Sequence, residues 1–255
     1  MSFDADLTGC AKLVERADPL RFRVAMAAPV AARRVLFPLY AFNVEVARAP
    51  WVTQEAMIAE MRLQWWRDVC SEIASGGPVR RHEVATPLSN VLLPEDALLL
   101  DELAEARRWD IYKDAFEDVA HFGQHIDRTA GHLMWVAARR LGQADEQTVR
   151  NAAYATGVAA WFHAIPALEA SGRIPLLDGS AAGVRALAEK ALARLSDARA
   201  NRRLVSPAAR PALFAIDATE KSLRAARDTP STVATGQLPS LQGAGLPFRV
   251  MTGRW

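Results

Sequence analysis

Apolar residues recur at helical spacing over most of this chain, and strand-like alternation is almost absent. In residues 53–75, the apolar side chains that return every four positions are Met57, Met61, Trp65, Val69 and Ile73. A repeat close to 3.6 residues indicates an amphipathic helix with one apolar side facing a core. The pattern therefore predicts a helix over 53–75 that buries this stripe and ends at the Gly-Gly-Pro sequence of residues 76–78.

Helical periodicity also covers segments at about residues 94–109, 114–141, 145–166, 181–199 and 206–228. Pro94 and Asp145 suit helix starts, whereas Pro166 is expected to interrupt the helix that Asp145 begins. Residues 229–255 are rich in Pro, Gly, Ser, Thr and Gln and lack periodicity, which indicates an irregular C-terminal tail. Because no repeat or linker divides the rest, the sequence predicts an all-α fold with a single helical bundle over residues 1–228.

Composition and charge exclude several classes of protein. The chain has 255 residues, of which 51% are hydrophobic, so it can bury one substantial core. Its 31 basic and 29 acidic residues nearly cancel and form no run of one sign, so no nucleic-acid partner is expected. No apolar stretch is long enough for a transmembrane segment, and the acidic start resembles no export signal. The expected location is cytoplasmic, with a peripheral position at a membrane left open.

Five short stretches have an order and spacing that match a known family. They are LFPLYAFN at 36–43, MRLQWWRD at 61–68, RRWDIY at 107–112, TAGHLM at 129–134 and AARRLG at 137–142. These stretches resemble the squalene/phytoene synthases over about residues 15–180. The second and fourth stretches most resemble a divergent branch, which includes an assembly factor of mitochondrial respiratory complex I and its bacterial relatives. The resemblance implies an isoprenoid (terpenoid) synthase bundle around a central cavity.

The resemblance also implies where the family's chemistry should lie. Active members bind isoprenoid diphosphates through Mg²⁺, which aspartates hold on two facing helices. Magnesium requires oxygen ligands, and aspartates one turn apart place their carboxylates on the same helix face. The positions that correspond to the two aspartate motifs are Ala47, Arg48 and Trp51 in the first, and Ala164, Leu168 and Gly172 in the second. Neither set contains a carboxylate, so no catalytic residue is expected, although Glu169 lies one position out of register.

This loss predicts a non-catalytic protein that acts by binding. The expected partner is a protein, with a respiratory-chain subunit in complex I assembly as the specific case, or else an isoprenoid lipid. No cofactor is expected. The alternative is a prenyl-diphosphate transferase that makes a C30 or C40 isoprenoid with an altered active site, and that enzyme would need Mg²⁺.

Some residues are candidates for the cavity wall or for binding an anion there: Arg33, Arg34, Tyr40, Asn43, Arg62, His125, His163 and Glu169. For the arginine pair at 33 and 34, a solvated surface is the competing interpretation. His121 and His125 are four residues apart, which is a metal-ligand spacing, and Glu117 could supply a third ligand. A hydrogen-bonded or solvated stripe is the preferred interpretation of these three, since they lack a longer metal motif.

Overall fold

The computed structural model describes residues 5–216, 218–241, 246 and 255. Within that part the secondary structure is helical, and the β-type pairing is an isolated bridge between Ala144 and Val205. The α-helices are α1 Ala5–Ala17, α2 Pro19–Ala27, α3 Val30–Arg48, α4 Ala56–Ala74, α5 Ala85–Ser89, α6 Pro94–Ala106, α7 Trp109–Tyr112, α8 Val119–Ile126, α9 His132–Leu141, α10 Glu146–Ala170, α11 Ala181–Ala200, α12 Thr219–Asp228 and α13 Ser231–Ala234. The predicted all-α fold is confirmed.

Side-chain caps explain where several helices begin. The carboxylates of Asp18, Asp118 and Asp145 each accept a hydrogen bond from a backbone N–H in the first turn of α2, α8 and α10, at 3.0, 2.7 and 2.8 Å respectively. The Ser180 hydroxyl accepts one at the start of α11, at 3.1 Å. These bonds satisfy amides that have no partner within the helix, and each such cap contributes about 1 kcal/mol.

Helices α3 and α10 form the centre of the bundle. Residues 36–44 of α3 are all buried, and α10 contacts α8, α9, α11, α12 and α13. The prediction that Pro166 interrupts the helix is wrong, because α10 continues to Ala170. Ile165 and Leu168 are both buried beside the proline, so core packing offsets the loss of a single backbone hydrogen bond.

The predicted helix over 114–141 is divided into several parts. Lys113 has a left-handed backbone with φ of 52°, and regular helix begins only after the Asp118 cap. A π-helical segment, Asp127–Gly131, then separates α8 from α9. Similarly, the start of the predicted 206–228 helix is a 3-10 helix, Arg210–Ile216, which contains Pro211.

The buried face of α4 differs from the prediction. Met57 and Met61, which were expected in the core, are 75% and 66% exposed, whereas Trp66 is buried and its ring centre lies 5.4 Å from that of Phe42. The α4 residues that are buried are Ala59, Leu63, Trp66, Val69, Cys70 and Ile73. Because α6 is the main neighbour of α4, the face that meets α6, rather than the most apolar stripe, decides burial.

Part of the predicted tail is ordered against the bundle. Ser231–Ala234 forms α13, Val233 is buried, and this helix contacts α10 and α12. Leu246 and Trp255 are also buried. The tail prediction at residues 242–245 and 247–254 lies outside the described residues. Among the helices that are described, none is both long and apolar enough to cross a membrane.

Candidate functional site

A cavity of about 290 Å³ lies at the centre of the bundle. Its walls come from α2, α3, α8, α9 and α10, from the π-helical segment, from the residues around α7 and from the 3-10 helix Arg210–Ile216. Small and apolar side chains form most of the lining, and they are Ala47, Trp51, Ile126, Ala130, Leu133, Met134, Ala160, Trp161, Ala164, Leu168, Ala212 and Ala215. Polar side chains make up much of the rest, so the cavity offers a small molecule both apolar contacts and hydrogen-bonding groups.

Of the six positions that were predicted from the sequence to correspond to the family's aspartate motifs, four face this cavity. Ala47 and Trp51 reach it from the end of α3 and the turn that follows, and Ala164 and Leu168 reach it from α10. Each pair is four residues apart, so both members lie on the same side of their segment. Arg48 instead points outward to pair with Glu45 at 3.3 Å, with 49% of its side chain exposed.

Gly172 follows the end of α10 and does not line the cavity. Its φ is +79°, a left-handed conformation that glycine adopts at little cost and that often ends a helix. An aspartate at this position would be strained, so Gly172 is explained by the helix terminus.

Each charged side chain on the cavity wall has an oppositely charged neighbour, although the Nε atom of Arg107 is buried without a hydrogen-bond partner among the described residues. Asp110 is the only carboxylate among the described lining residues, and Arg107 Nη1 lies 3.4 Å from it. Burial raises the pKa of Asp110, and the neighbouring Arg107 opposes that rise without cancelling it. On the other side of the cavity, Arg21 pairs with Asp18 at 2.5 Å and lies 5.7 Å from the Tyr40 ring centre. Burial raises the pKa of that tyrosine to about 12.

His125 is the most unusual polar residue in the lining. It is 5% exposed, and its Nε2 atom has no hydrogen-bond partner among the described residues. Its ring lies among Trp109, Phe116 and Trp161, with centres 5.7, 5.4 and 5.2 Å away. Burial lowers the pKa of His125 to about 3, and the positive charge of Arg107 adds to this effect. The imidazole is therefore neutral at physiological pH.

Of the predicted cavity residues, Tyr40, Asn43 and His125 line the cavity. Asn43 presents an amide group there and is only 7% exposed. His163, although predicted to face the cavity, instead lies 3.0 Å from the Ser222 hydroxyl of α12. Glu169 is exposed on the outer side of α10 and therefore adds no carboxylate to the second motif.

The predicted anion-binding arginines are also outside the cavity. Arg33 donates to the backbone carbonyls of Met26 at 2.7 Å and Ala28 at 3.3 Å, so it closes the end of α2. Arg34 and Arg62 are exposed side chains. None of the three is among the residues that line the cavity.

The histidine pair on α8 does not assemble a metal site. Glu117 precedes the helix and is exposed, and its backbone N–H donates to His121 Nδ1 at 3.4 Å. His125 points into the aromatic cluster instead. In the part of the chain that the structure describes, no three His, Cys, Asp or Glu side chains come together in a geometry that could hold an ion.

Sequence reasoning missed Arg21, Arg107 and Asp110 as cavity residues. Arg107 and Asp110 belong to the quoted RRWDIY stretch, and their three-residue spacing on a helical turn was a usable signal. Arg21 gave a weaker signal, since only the Asp18 cap beside it marks the start of α2. Arg173 was also missed, although it is buried and covers Trp51 at the edge of the cavity.

The TAGHLM stretch, residues 129–134, begins within the π-helical segment and lies beside a group of charged side chains. Arg150 Nη1 lies 2.9 Å from Asp127 and 3.2 Å from His132 Nδ1, and His132 Nε2 lies 3.1 Å from Glu102. A Cβ atom at Gly131 would come within 2.6 Å of the Asp127 carboxylate. The glycine therefore permits a partly buried network of ion pairs beside the cavity.

Comparison with known proteins places this fold and cavity in a family. The sequence model described as squalene/phytoene synthase matches residues 14–160, which is more than half of the chain. The chain therefore belongs to the squalene/phytoene synthase family. A solved dehydrosqualene synthase, crystallised in complex with a ligand, superposes with a TM-score of 0.77 at 13% identity, over 97% of this chain and 96% of that one. This likeness establishes the isoprenoid synthase fold.

Two curated relatives carry the name NADH dehydrogenase (ubiquinone) complex I, assembly factor 6. The Bos taurus protein is 24% identical over 148 residues, and the Homo sapiens protein is 23% identical over 138 residues. Both matches cover 53% of this chain and 41% of the relative. The chain thus spans less than half the length of the curated relatives that it matches.

Proposed function

We propose that this chain does not catalyse prenyl transfer and acts instead as a binding protein in the assembly of a respiratory complex. The observation that carries the proposal is the chemistry at four cavity positions: Ala47 and Trp51 on one wall, and Ala164 and Leu168 on the other. These are the positions that correspond to the family's metal-binding aspartates, and none of the four side chains offers an oxygen.

The remaining carboxylate does not replace them. Magnesium binds oxygen ligands in nearly octahedral geometry, usually with carboxylates and substrate phosphates. Asp110 is a single carboxylate, and Arg107 already pairs with it. A cation placed beside it would also meet the positive charge of Arg107. The lining residues therefore do not fit Mg²⁺.

Protein binding is supported by the surface and by the relatives. Met57 and Met61 are the most exposed large apolar residues on α4, and Ile58 beside them is 38% exposed. Exposed apolar side chains that lie together mark interaction surfaces, and methionine adapts to varied partners. The printed names of the two relatives describe assembly factors of complex I. The proposed partner is accordingly a respiratory-chain subunit, met in the cytoplasm or at the membrane surface.

A first experiment tests the absence of catalysis. The purified chain is incubated with farnesyl diphosphate or geranylgeranyl diphosphate and Mg²⁺, and the extract is analysed by mass spectrometry. We expect no C30 or C40 product. The alternative function, a prenyl-diphosphate transferase with an altered site, is favoured only by family membership, and a clear product would establish it.

A second experiment tests the binding role in the cell that carries the gene. We expect a deletion strain to lose assembled complex I, measured by native gel electrophoresis and NADH oxidation. The wild-type chain should restore complex I, and so should a variant with Tyr40 replaced by phenylalanine, because that change removes only a hydroxyl from the cavity wall. Normal complex I in the deletion strain would overturn the proposal.

A further inference from the structure

The most exposed methionines of the described chain are both on α4. Met57 is 75% exposed and Met61 is 66% exposed. Met134, which lines the central cavity, is only 8% exposed, and Met26 is intermediate at 43%. Among the described methionines, the two on α4 are therefore the most accessible to a reagent dissolved in water.

The two cysteines are less accessible than these methionines. Cys10 is 0% exposed and Cys70 is 1% exposed. Burial also raises the pKa of the Cys70 thiol, so little of the reactive thiolate forms. Because oxidation of sulfur follows thiolate character and exposure, we expect a mild oxidant to react with Met57 and Met61 before the other described sulfur atoms.

The spacing of Met57 and Met61 places them together on the outer side of α4. Residues four apart are neighbours on a helix surface. Ala59 and Leu63 are buried on the opposite side, whereas Ile58, which follows Met57 in the chain, is 38% exposed. The two thioethers therefore belong to the small apolar surface that the proposed function assigns to partner binding.

Hydrogen peroxide oxidises a thioether by transferring one oxygen atom to the sulfur. The S–O bond forms as the O–O bond breaks, the sulfur loses two electrons, and the peroxide is reduced to water, with no net proton taken from the protein. The product, methionine sulfoxide, is polar, and sulfoxide reductases return it to methionine. A methionine on a binding surface can therefore pass reversibly between an apolar and a polar form.

We propose that Met57 and Met61 are a peroxide-sensitive pair, and that their oxidation to sulfoxides weakens binding of the protein partner without unfolding the chain. Binding weakens because an apolar contact would have to remove water from the polar sulfoxide oxygens, which is unfavourable. The fold is retained because both side chains are mostly exposed, and surface changes away from packed residues alter stability little. This inference rests on the proposed function, since it assigns a means of regulation to the surface that binds the partner.

The first test is the order of oxidation in the purified full chain. The chain is treated with hydrogen peroxide for increasing times, digested with trypsin and analysed by tandem mass spectrometry. Met57 and Met61 lie in the tryptic segment 49–62, Met26 in 24–33 and Met134 in 129–139. We expect the α4 pair to oxidise about tenfold faster than Met134, with Met26 intermediate, and the difference to vanish in urea. Oxidation of Met134 as fast as the pair would overturn the inference.

The same samples test whether the fold is retained. At the dose that oxidises Met57 and Met61 first, the circular dichroism spectrum and the urea midpoint should match those of the untreated chain. Loss of the native spectrum at that dose would contradict the inference, because it would show that the pair is packed in the folded chain.

A variant that cannot be oxidised tests the effect on the partner. Met57→Leu with Met61→Leu keeps both positions apolar and removes both sulfur atoms. Strains with the wild type or the double variant receive the same dose of hydrogen peroxide, and the complex I assembled afterwards is measured by native gel electrophoresis. We expect the double-variant strain to assemble at least about twofold more complex I than the wild type after peroxide. Without peroxide, the two strains should assemble equal amounts.

Met26→Leu is the matched control, because it removes an exposed methionine from α2 rather than from α4. Its strain should remain as sensitive to peroxide as the wild type, and protection equal to that of the double variant would contradict the inference. Equal loss of complex I in the wild-type and double-variant strains would overturn this inference alone. Normal complex I in the deletion strain would instead overturn the proposed function, while the order of oxidation still tests the methionine pair.

Discussion

The guanidinium carbon of Arg173 lies 4.2 Å from the centre of the Trp51 indole ring. Trp51 ends the turn after α3, and Arg173 follows the end of α10, so the contact joins two walls of the cavity. Arg173 also donates hydrogen bonds to the Asp110 carbonyl and to the Ser171 hydroxyl. The cation–π contact and these hydrogen bonds therefore tie the end of α10 to the turn after α3 and to α7.

We predict that Arg173→Ala lowers the free energy of unfolding by about 1–3 kcal/mol, because it removes the cation–π contact and buried hydrogen bonds. Arg173→Lys should lose less, since it keeps the charge but not the planar contact. Urea unfolding followed by circular dichroism measures both. Arg62→Ala is the control, because Arg62 is exposed and its removal should change stability by less than about 0.5 kcal/mol. Equal stability of Arg173→Ala and the control would contradict the prediction.

The buried histidine predicts a specific pH dependence. The pKa of His125 is about 3 in the folded chain, below its usual 6.5. Between these values the unfolded chain binds a proton that the folded chain does not, so stability falls with acidification by about 1.4 kcal/mol per pH unit. Between pH 7 and pH 5, His125 should therefore lower the free energy of unfolding by about 2 kcal/mol.

Urea unfolding of His125→Phe at the two pH values measures this contribution. When the pH is lowered from 7 to 5, the free energy of unfolding should fall by about 2 kcal/mol less in the variant than in the wild type. Gln124→Ala, at an exposed position of the same helix that carries no ionisable group, should keep the dependence of the wild type. The comparison is between the changes in the free energy of unfolding from pH 7 to pH 5. A variant that is more or less stable than the wild type at pH 7 can therefore still be compared with it. An identical pH dependence in all three proteins would show that folding leaves the pKa of His125 unchanged, which contradicts the prediction.

Gly157 allows α10 to approach α8 and the π-helical segment closely. A Cβ atom there would lie 2.8 Å from the Ala130 Cβ and 2.9 Å from Ile126 Cγ2. We predict that Gly157→Ala lowers the free energy of unfolding by about 1–3 kcal/mol through overpacking. Adding Ala130→Gly should restore part of this loss, because it removes one of the two close contacts.

Gly123 provides the contrast for that measurement. It also lies within a helix, α8, but a Cβ atom added there would have no described atom within 4 Å beyond its own neighbours in the chain. Gly123→Ala should therefore raise stability, by up to about 1 kcal/mol, through helix propensity alone. A loss of stability in Gly123→Ala, or none in Gly157→Ala, would be inconsistent with this packing.

The exposed methionines of α4 should contribute little to folding. We predict that Met57→Gln with Met61→Gln changes the free energy of unfolding by less than about 1 kcal/mol, because both side chains are mostly exposed. Leu63→Ala on the same helix should cost about 2–5 kcal/mol, because Leu63 is fully buried. In cells, the double variant should assemble less complex I than the wild type, measured by native gel electrophoresis. A large loss of stability in the double variant would contradict the prediction, since it would show that this face of α4 is packed in the folded chain.

The sequence predicted most helices, because apolar spacing and caps act locally. The segments 94–109, 145–166 and 181–199 each correspond to a helix, α6, α10 and α11, with ends shifted by a few residues. Errors arose where tertiary packing overrides local preference. Pro166 does not end α10, and the segment before Asp118 is not helical despite its polar stripe.

The candidate site was predicted less well than the fold. Tyr40 and Asn43, from the LFPLYAFN stretch, do line the cavity, and so does His125, which lies outside the quoted stretches. The aligned positions Ala47, Trp51, Ala164 and Leu168 face the same cavity. Arg33, Arg34, Arg62, His163 and Glu169 were candidates by proximity in sequence, but they point away. A helix face can be computed from spacing, whereas which of two faces meets the cavity depends on the neighbouring helices.

By itself, the sequence determined the helical class, the family and the residue types at the motif positions, since these depend on composition, periodicity and order along the chain. Only the tertiary structure decided that Arg107 and Asp110 pair at the cavity, that Arg173 covers Trp51, and that His125 is left buried without a described partner for Nε2. The energies of this ion pair, this cation–π contact and this unpaired nitrogen depend on distance and burial. The spacing of residues along the chain specifies neither.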